Sequence, residues 1–108
     1  MIMNIDERRI EALSLQSINP IYQDVLKIQE EVGELSQAFL AFEKSPTMSK
    51  SAETKNPLDD VLEETCDCIN SSINLMNKLI QAYPEKEIYV KNLFNLKLDK
   101  WEEKLKVV

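Results

Sequence analysis

A chain of 108 residues with 44% hydrophobic and 30% charged residues has the length and composition of one folded domain, which excludes a disordered or membrane-embedded protein. Acidic residues outnumber basic ones by 19 to 13, and the net charge of -6 argues against nucleic acid as a partner. Because the chain contains no histidine, His-containing catalytic triads are excluded, and any chemistry must depend on carboxylates and lysines.

The N-terminal segment and the cysteines indicate where the protein resides. No apolar run approaches the roughly 18 residues of a membrane span, and residues 1–11 contain acids and arginines rather than the apolar core of a signal peptide. We therefore expect a soluble, cytoplasmic protein without a membrane partner. Cys66 and Cys68 would point in different directions on a helix, so we expect both to be reduced packing residues.

The first half of the chain predicts two helices. One glycine, four prolines and the lack of an alternating apolar pattern favour an all-α fold. The first helix is predicted over 5–15 and the second over 20–44, where Asn19 precedes Pro20 as an N-cap. The second helix has apolar residues on two flanks and should be a nearly enclosed central element. Its main stripe comprises Ile21, Val25, Ile28, Val32, Leu35, Phe39 and Phe42.

The second half predicts a polar connection and two further helices. Residues 45–56 lack a pattern and should form a mobile loop. Asn56 before Pro57 starts a helix over 57–83, and the last helix covers 85–106. The apolar stripe of the third helix comprises Leu62, Cys66, Ile69, Ile73, Met76 and Ile80. The expectation is one four-helix, bundle-like domain over 1–108, whose core is completed in a homodimer or a dimer of dimers.

Two helices carry acids at helical spacing. The second helix contains Glu30, Glu31 and Glu34, and the third contains Glu64 and Asp67. Residues three or four apart share one helical face, so antiparallel packing of these helices would bring Glu31, Glu34, Glu64 and Asp67 to one point. Four carboxylates there would form the oxygen-rich site that Mg²⁺ prefers.

The alternative interpretation is that these acids lie on solvated helix faces. Residues 56–77 contain five acids and no lysine or arginine, so no ion pair within the helix offsets their repulsion. The helix dipole accounts for Asp59 and Asp60 in the first turn but not for Glu64 and Asp67. Gly33, the only glycine, lies mid-helix at a cost of about 1 kcal/mol, which predicts close approach of another backbone.

The two acid motifs, Glu-Glu-x-x-Glu at 30–34 and Glu-x-x-Asp at 64–67, resemble those of the MazG-like all-α nucleoside triphosphate pyrophosphohydrolases. The resemblance covers roughly 28–104. It implies that Glu31, Glu34, Glu64 and Asp67 bind Mg²⁺, with Mn²⁺ as a substitute, and that Glu30 assists near the attacking water. It also implies that the basic last helix faces the phosphates through Lys97, Lys100 and Lys104.

The expected activity is Mg²⁺-dependent hydrolysis of a nucleoside triphosphate to a monophosphate and pyrophosphate. Two alternatives stay open. A phosphoribosyl-ATP pyrophosphohydrolase has the same architecture and acid motifs, and a non-enzymatic helical interaction module needs neither metal nor substrate. A di-iron carboxylate bundle is disfavoured because it requires Glu-x-x-His motifs.

Overall fold

A computed structural model describes residues 1–45 and 56–106, and these residues form an all-α fold. Its helices are α1 (Glu7–Gln16), α2 (Ile21–Lys44), α3 (Pro57–Ala82) and α4 (Glu87–Lys106), and a short 3-10 helix at Pro84–Lys86 precedes α4. The described residues contain no strand, which confirms the predicted fold class. The predicted loop at 45–56 lies, apart from its two end residues, outside the described residues.

The helix starts follow from local capping. Asp6 accepts a hydrogen bond from the backbone N–H of Arg9 at 3.0 Å and caps α1, and the side chain of Asn56 accepts one from the N–H of Leu58 at 2.8 Å. The prediction that Asn19 caps α2 is wrong. Pro20 is extended and occupies the cap position without a side-chain hydrogen bond, so the helix begins one residue later than expected.

The chain divides into two compact units, residues 1–78 and 79–108, and the boundary falls within α3. The first unit contains α1, α2 and most of α3, and the second contains the end of α3, the 3-10 helix and α4. In the second unit, α4 has no buried residue. It carries two exposed ion pairs, Lys91 with Glu87 and Lys106 with Glu102, and the two partners of each pair are one helical turn apart.

In the first unit, α2 and α3 run antiparallel. Asp24, near the start of α2, contacts Asn74 and Lys78 late in α3. Glu31 and Glu34, about two and three turns further along α2, meet Glu64, which lies earlier in α3. The contacts therefore progress in opposite directions along the two helices, as the sequence predicted.

The fully buried positions of the seam between α2 and α3 are mainly polar. On α2 the buried residues are Asp24, Glu31 and Ala38, spaced seven apart, and on α3 they are Pro57, Asp60 and Lys78. Ala38 is the one fully buried hydrophobic residue in the ranges 1–45 and 56–106. Three members of the predicted apolar stripe, Ile28, Leu35 and Phe42, lie on the same face of α2 and are half-buried. The sequence analysis missed the charged and amide side chains that lie between them.

The apolar stripes are covered unevenly. On α2, Val25, Val32 and Phe39 are more than two-fifths exposed, and Leu26 and Leu40 are each 56% exposed. On α3 the predicted stripe lies on the side opposite the polar seam. Its members Leu62 and Cys66 are exposed, whereas the other four, Ile69, Ile73, Met76 and Ile80, are half-buried. Within the first unit α2 is therefore not enclosed, and its enclosure by a second copy stays a prediction.

Gly33 does not mark a close backbone contact within the described residues. A Cβ built at Gly33 would meet no atom within 4 Å, and the residue is exposed. The predicted approach of another backbone is thus wrong for this chain alone.

Among the described residues, none of the helices is both long and apolar enough to cross a membrane.

Candidate metal centre

Three of the predicted acids converge from α2 and α3. Glu31, Glu34 and Glu64 each contribute a carboxylate oxygen to a group whose members lie within 4.8 Å of one another. Two oxygens bound to one Mg²⁺ at about 2.1 Å are at most about 4.2 Å apart, so small side-chain rotations would suffice for shared coordination. The heptad spacing places these acids on the seam, and antiparallel pairing brings them together.

Glu31 is the innermost member of this acid cluster. Its side chain is 7% exposed, and its Oε1 pairs with the ammonium of Lys27 at 2.9 Å. Its other oxygen, Oε2, is buried and accepts no hydrogen bond from the described residues. A buried carboxylate oxygen without a donor is costly, and a bound cation would compensate it.

The pKa values of Glu34 and Asp67 are raised. Removal from water, followed by the charges of Glu31 and Glu64, raises the pKa of Glu34 above its ordinary 4.5. The same causes in the same order raise the pKa of Asp67 above 3.8, with Glu63 adding to the effect and Lys27 opposing it. Like charges held close together in a partly dry site favour protons or a cation.

Asp67 lies beside the acid cluster rather than among its three closest oxygens. It is half-buried on the α3 seam, one turn beyond Glu64, and the charges that raise its pKa are those of the cluster. The structure therefore brings three of the four predicted ligands together and places the fourth at their edge.

The other predicted site residues have different settings. Glu30 points outward, with its side chain 58% exposed, and lies 3.5 Å from Lys27. Lys97, Lys100 and Lys104 are exposed on α4, in the second unit. Cys66 and Cys68 are free thiols, as expected, but Cys66 is exposed rather than packed.

An open pocket of about 410 Å³ adjoins the acid cluster in the first unit. Glu30 and Lys27 form its border with the cluster. Its remaining lining is mostly amide and hydroxyl side chains, from Ser17, Asn19, Gln23, Asp24, Leu26 and Asn74. Such groups can both donate and accept hydrogen bonds, as recognition of a polar planar ligand requires.

Lys27 is a candidate site residue that the sequence analysis missed. It contacts both Glu30 and Glu31 and lines the pocket. Its hydrogen bond to Glu31, and the charges of Glu31 and Glu30, raise its pKa against the opposing effect of burial. The signal was available, since lysines three and four residues before glutamates share their helical face.

Comparisons with known protein families, with curated proteins and with solved structures found no match to this chain. The likeness to MazG-like enzymes therefore depends on the two acid motifs and, more loosely, on the lysines of the last helix. The geometry of the acid cluster is an observation independent of that likeness.

Proposed function

We propose that this protein is a Mg²⁺-dependent nucleoside triphosphate pyrophosphohydrolase. The observation that carries the proposal is the convergence of Glu31, Glu34 and Glu64 from two helices, with their oxygens within 4.8 Å. A solvated acidic surface would spread these charges apart, since each carboxylate gains by moving into water.

The residues present fit a magnesium ion. Their donors are all carboxylate oxygens, which are hard ligands suited to Mg²⁺ or Mn²⁺ and poorly suited to softer metals. The buried Oε2 of Glu31 supplies one position. Asp67, at the edge of the cluster, is the fourth ligand that we propose, reached by rotation of its side chain.

When bound, Mg²⁺ would neutralise the triphosphate and lower the pKa of a coordinated water. In the reaction, the water oxygen bonds to the α-phosphorus, the bond from that phosphorus to the bridging oxygen breaks, and pyrophosphate leaves. Glu30 borders the pocket and is exposed, so it is the carboxylate that we propose to accept the water's proton and pass it to solvent.

The pocket beside the acid cluster supports a nucleotide as the substrate. Its volume of about 410 Å³ lies in the range of small-molecule sites, and its amide groups suit a base or sugar. Lys97, Lys100 and Lys104 stay predicted phosphate contacts. Lys27 is a further cation at the border between pocket and acids, where a phosphate chain would pass.

The direct test is hydrolysis with Mg²⁺ of the canonical and modified nucleoside triphosphates and of phosphoribosyl-ATP. We expect equal amounts of monophosphate and pyrophosphate and no early orthophosphate. Glu31→Gln should abolish turnover, whereas Glu43→Gln, an exposed acid further along α2, should leave it unchanged. Early release of orthophosphate, or full activity of Glu31→Gln, would contradict the proposal.

Two outcomes of the same experiment identify the alternatives. Turnover confined to phosphoribosyl-ATP would indicate the phosphoribosyl-ATP pyrophosphohydrolase. Absence of turnover, together with a melting temperature that Mg²⁺ and Mn²⁺ leave unchanged, would indicate an interaction module, since a ligand of the folded state stabilises it.

We also propose that two copies of the chain associate through the exposed apolar face of α2. This face, formed by Val25, Leu26, Val32, Phe39 and Leu40, leaves large side chains open to water. Monomeric proteins rarely expose so continuous an apolar surface, and a second copy is the partner always present. The expected species is a homodimer or a dimer of dimers.

A further inference from the structure

A buried polar network joins α1, α2 and α3 outside the acid cluster. Lys78 on α3 is 7% exposed and its ammonium lies 2.8 Å from Asp24 Oδ2 on α2. The amide of Asn74 donates to the other oxygen of Asp24 at 3.1 Å, and its carbonyl accepts from the hydroxyl of Ser14 on α1 at 2.7 Å. Asp24 and Asn74 also line the pocket proposed for the nucleotide, but no residue of this network belongs to the acid cluster.

The buried ammonium has three polar neighbours. Besides its ion pair with Asp24, it donates hydrogen bonds to Ser17 Oγ at 3.3 Å and to the backbone carbonyl of Asn19. A buried ion pair contributes little net stability, because desolvation offsets the attraction. Its best-established use is to select one alignment of helices over others.

The apolar residues alone do not fix the alignment of α2 and α3. The seam of α2 repeats with heptad spacing through Ile28, Leu35, Ala38 and Phe42, so apolar packing changes little when one helix slides by seven residues. A slide in one direction would place Asp24 beside Asp67, and repulsion disfavours it.

A slide of seven residues in the other direction is electrostatically favourable and would disrupt the acid cluster. It would bring Lys78 beside Glu31 and move Glu64 and Asp67 away towards Ala41 and Ala38, by the same antiparallel spacing. That register relieves the repulsion within the acid cluster but destroys the cluster. It also separates Asp24 from Asn74 and Lys78, since Asp24 would then lie at the C-terminal end of α3.

We propose that Asp24, Asn74 and Lys78 are positioning residues that hold α2 and α3 in the register at which Glu31 and Glu34 meet Glu64. Asp24 lies seven residues from Glu31, and Asn74 and Lys78 lie ten and fourteen residues from Glu64, so they act on the cluster through the alignment of the two helices. The importance of this register for catalysis rests on the proposed function, whereas the register itself can be measured without it.

The test compares Asp24→Asn with the charge-swapped double variant Asp24→Lys/Lys78→Asp. In Asp24→Asn the buried ammonium of Lys78 loses its counter-ion. The shifted register, in which it lies beside Glu31, then becomes more favourable than the native one. In the swapped variant the pair is restored in the native register, and the acid introduced at position 78 would be repelled by Glu31 in the shifted one. The single variant should therefore slip, and the swapped variant should not.

The register is measured as the distance between two spin labels, one on the native Cys66 and one on Gln29→Cys, both of which are exposed positions. Cys68→Ala removes the other native thiol. Dilution with unlabelled protein suppresses distances between copies. A slip of seven residues moves one helix by about 10.5 Å along the other. We expect a longer-distance population in Asp24→Asn and the wild-type distance in the swapped variant. Wild-type distances in both would overturn the proposal.

Mn²⁺ affinity gives the second measurement. Asp24→Asn should bind Mn²⁺ about 10- to 100-fold more weakly than wild type, as loss of supporting residues commonly does, and the swapped variant should recover. A purely structural role would lower the melting temperature of Asp24→Asn and leave the affinity unchanged. If Asp24→Asn does not fold, Ser14→Ala serves instead, since it removes the hydroxyl that contacts Asn74 and the backbone carbonyl of Ile10 and leaves the ion pair intact. It should shift the spin-label distance and the Mn²⁺ affinity in the same direction, and no shift would overturn the proposal.

Failure of the proposed function has a different signature. A wild-type protein that binds no Mn²⁺ and hydrolyses no nucleotide would remove the metal centre, while the spin-label distances would still decide whether the network sets the register.

Discussion

At the scale of single residues, Asp67 separates function from stability most clearly. Burial and the charges of Glu31, Glu64 and Glu63 all disfavour its ionised form. Asp67→Asn should therefore remove most Mg²⁺-dependent hydrolysis and leave the metal-free melting temperature equal or higher, because each relieved like-charge pair is worth about 0.2 to 0.5 kcal/mol. Hydrolysis rates and melting in chelator would be measured together. Retained turnover in Asp67→Asn would remove it from the site.

The raised pKa values of Glu34 and Asp67 predict how metal-free stability changes with pH. A carboxyl whose pKa is higher in the folded state stabilises the fold when protonated, below its ordinary value of 4.5 or 3.8. That contribution is lost as pH rises through the folded-state pKa.

The corresponding measurement is the melting temperature of wild type and of Glu34→Gln/Asp67→Asn in chelator between about pH 4 and pH 7. The difference, variant minus wild type, should grow with pH. With saturating Mg²⁺ the wild type should gain more stability at pH 7 than at pH 4, since protons and metal compete for the same oxygens. A difference independent of pH would contradict the assigned electrostatics.

Lys27 should act on metal and substrate in opposite senses. Its ammonium pairs with Glu31, so it competes with a bound cation for the same carboxylate, yet it lies where phosphates would enter. Lys27→Met should bind Mn²⁺ more tightly and raise KM for the nucleotide. Lys44→Met, on the same helix and distant from the cluster in sequence, is the control. Weaker Mn²⁺ binding by Lys27→Met would show that the ammonium supports the site rather than competing with it.

At the scale of helices, the two Asn-Pro pairs offer a matched comparison. Asn56→Ala removes the side-chain acceptor for the N–H of Leu58 and should lower the free energy of unfolding by about 1 kcal/mol. Asn19→Ala should cost much less, because Asn19 makes no cap to α2 and its backbone carbonyl still receives Lys78. Equal losses in urea denaturation of the two variants would contradict the capping assignment.

The same scale shows what the sequence could predict. Helix ends at Lys44 and Pro57 matched the prediction because prolines, caps and polar connections are local signals. The acid cluster was also predicted, since it needs only helical spacing and antiparallel pairing. The polar seam was missed because a heptad rule assigns apolar residues to the interior, and nothing local to Asp24 or Lys78 reveals a partner 54 residues away.

At the scale of the whole molecule, the exposed apolar face of α2 allows the proposed dimer to be tested. In a monomer, replacing Leu40 at 56% exposure would be a surface change, which usually alters stability by no more than about 0.5 kcal/mol. In a dimer joined through this face, a charge at position 40 would be buried against apolar side chains without a partner, and association would fail.

Sedimentation velocity and thermal melting over a range of concentrations distinguish these cases. We expect wild type to sediment as a dimer or tetramer of 12.5 kDa chains and to melt at higher temperature when concentrated. Leu40→Glu should sediment as a monomer and melt earlier at every concentration. Leu40→Lys should also be monomeric, because a buried charge of either sign prevents association. If only Leu40→Glu is monomeric, the cause is repulsion by the net charge of -6. A wild-type monomer whose melting is independent of concentration would leave this face uncovered and refute the proposed dimer.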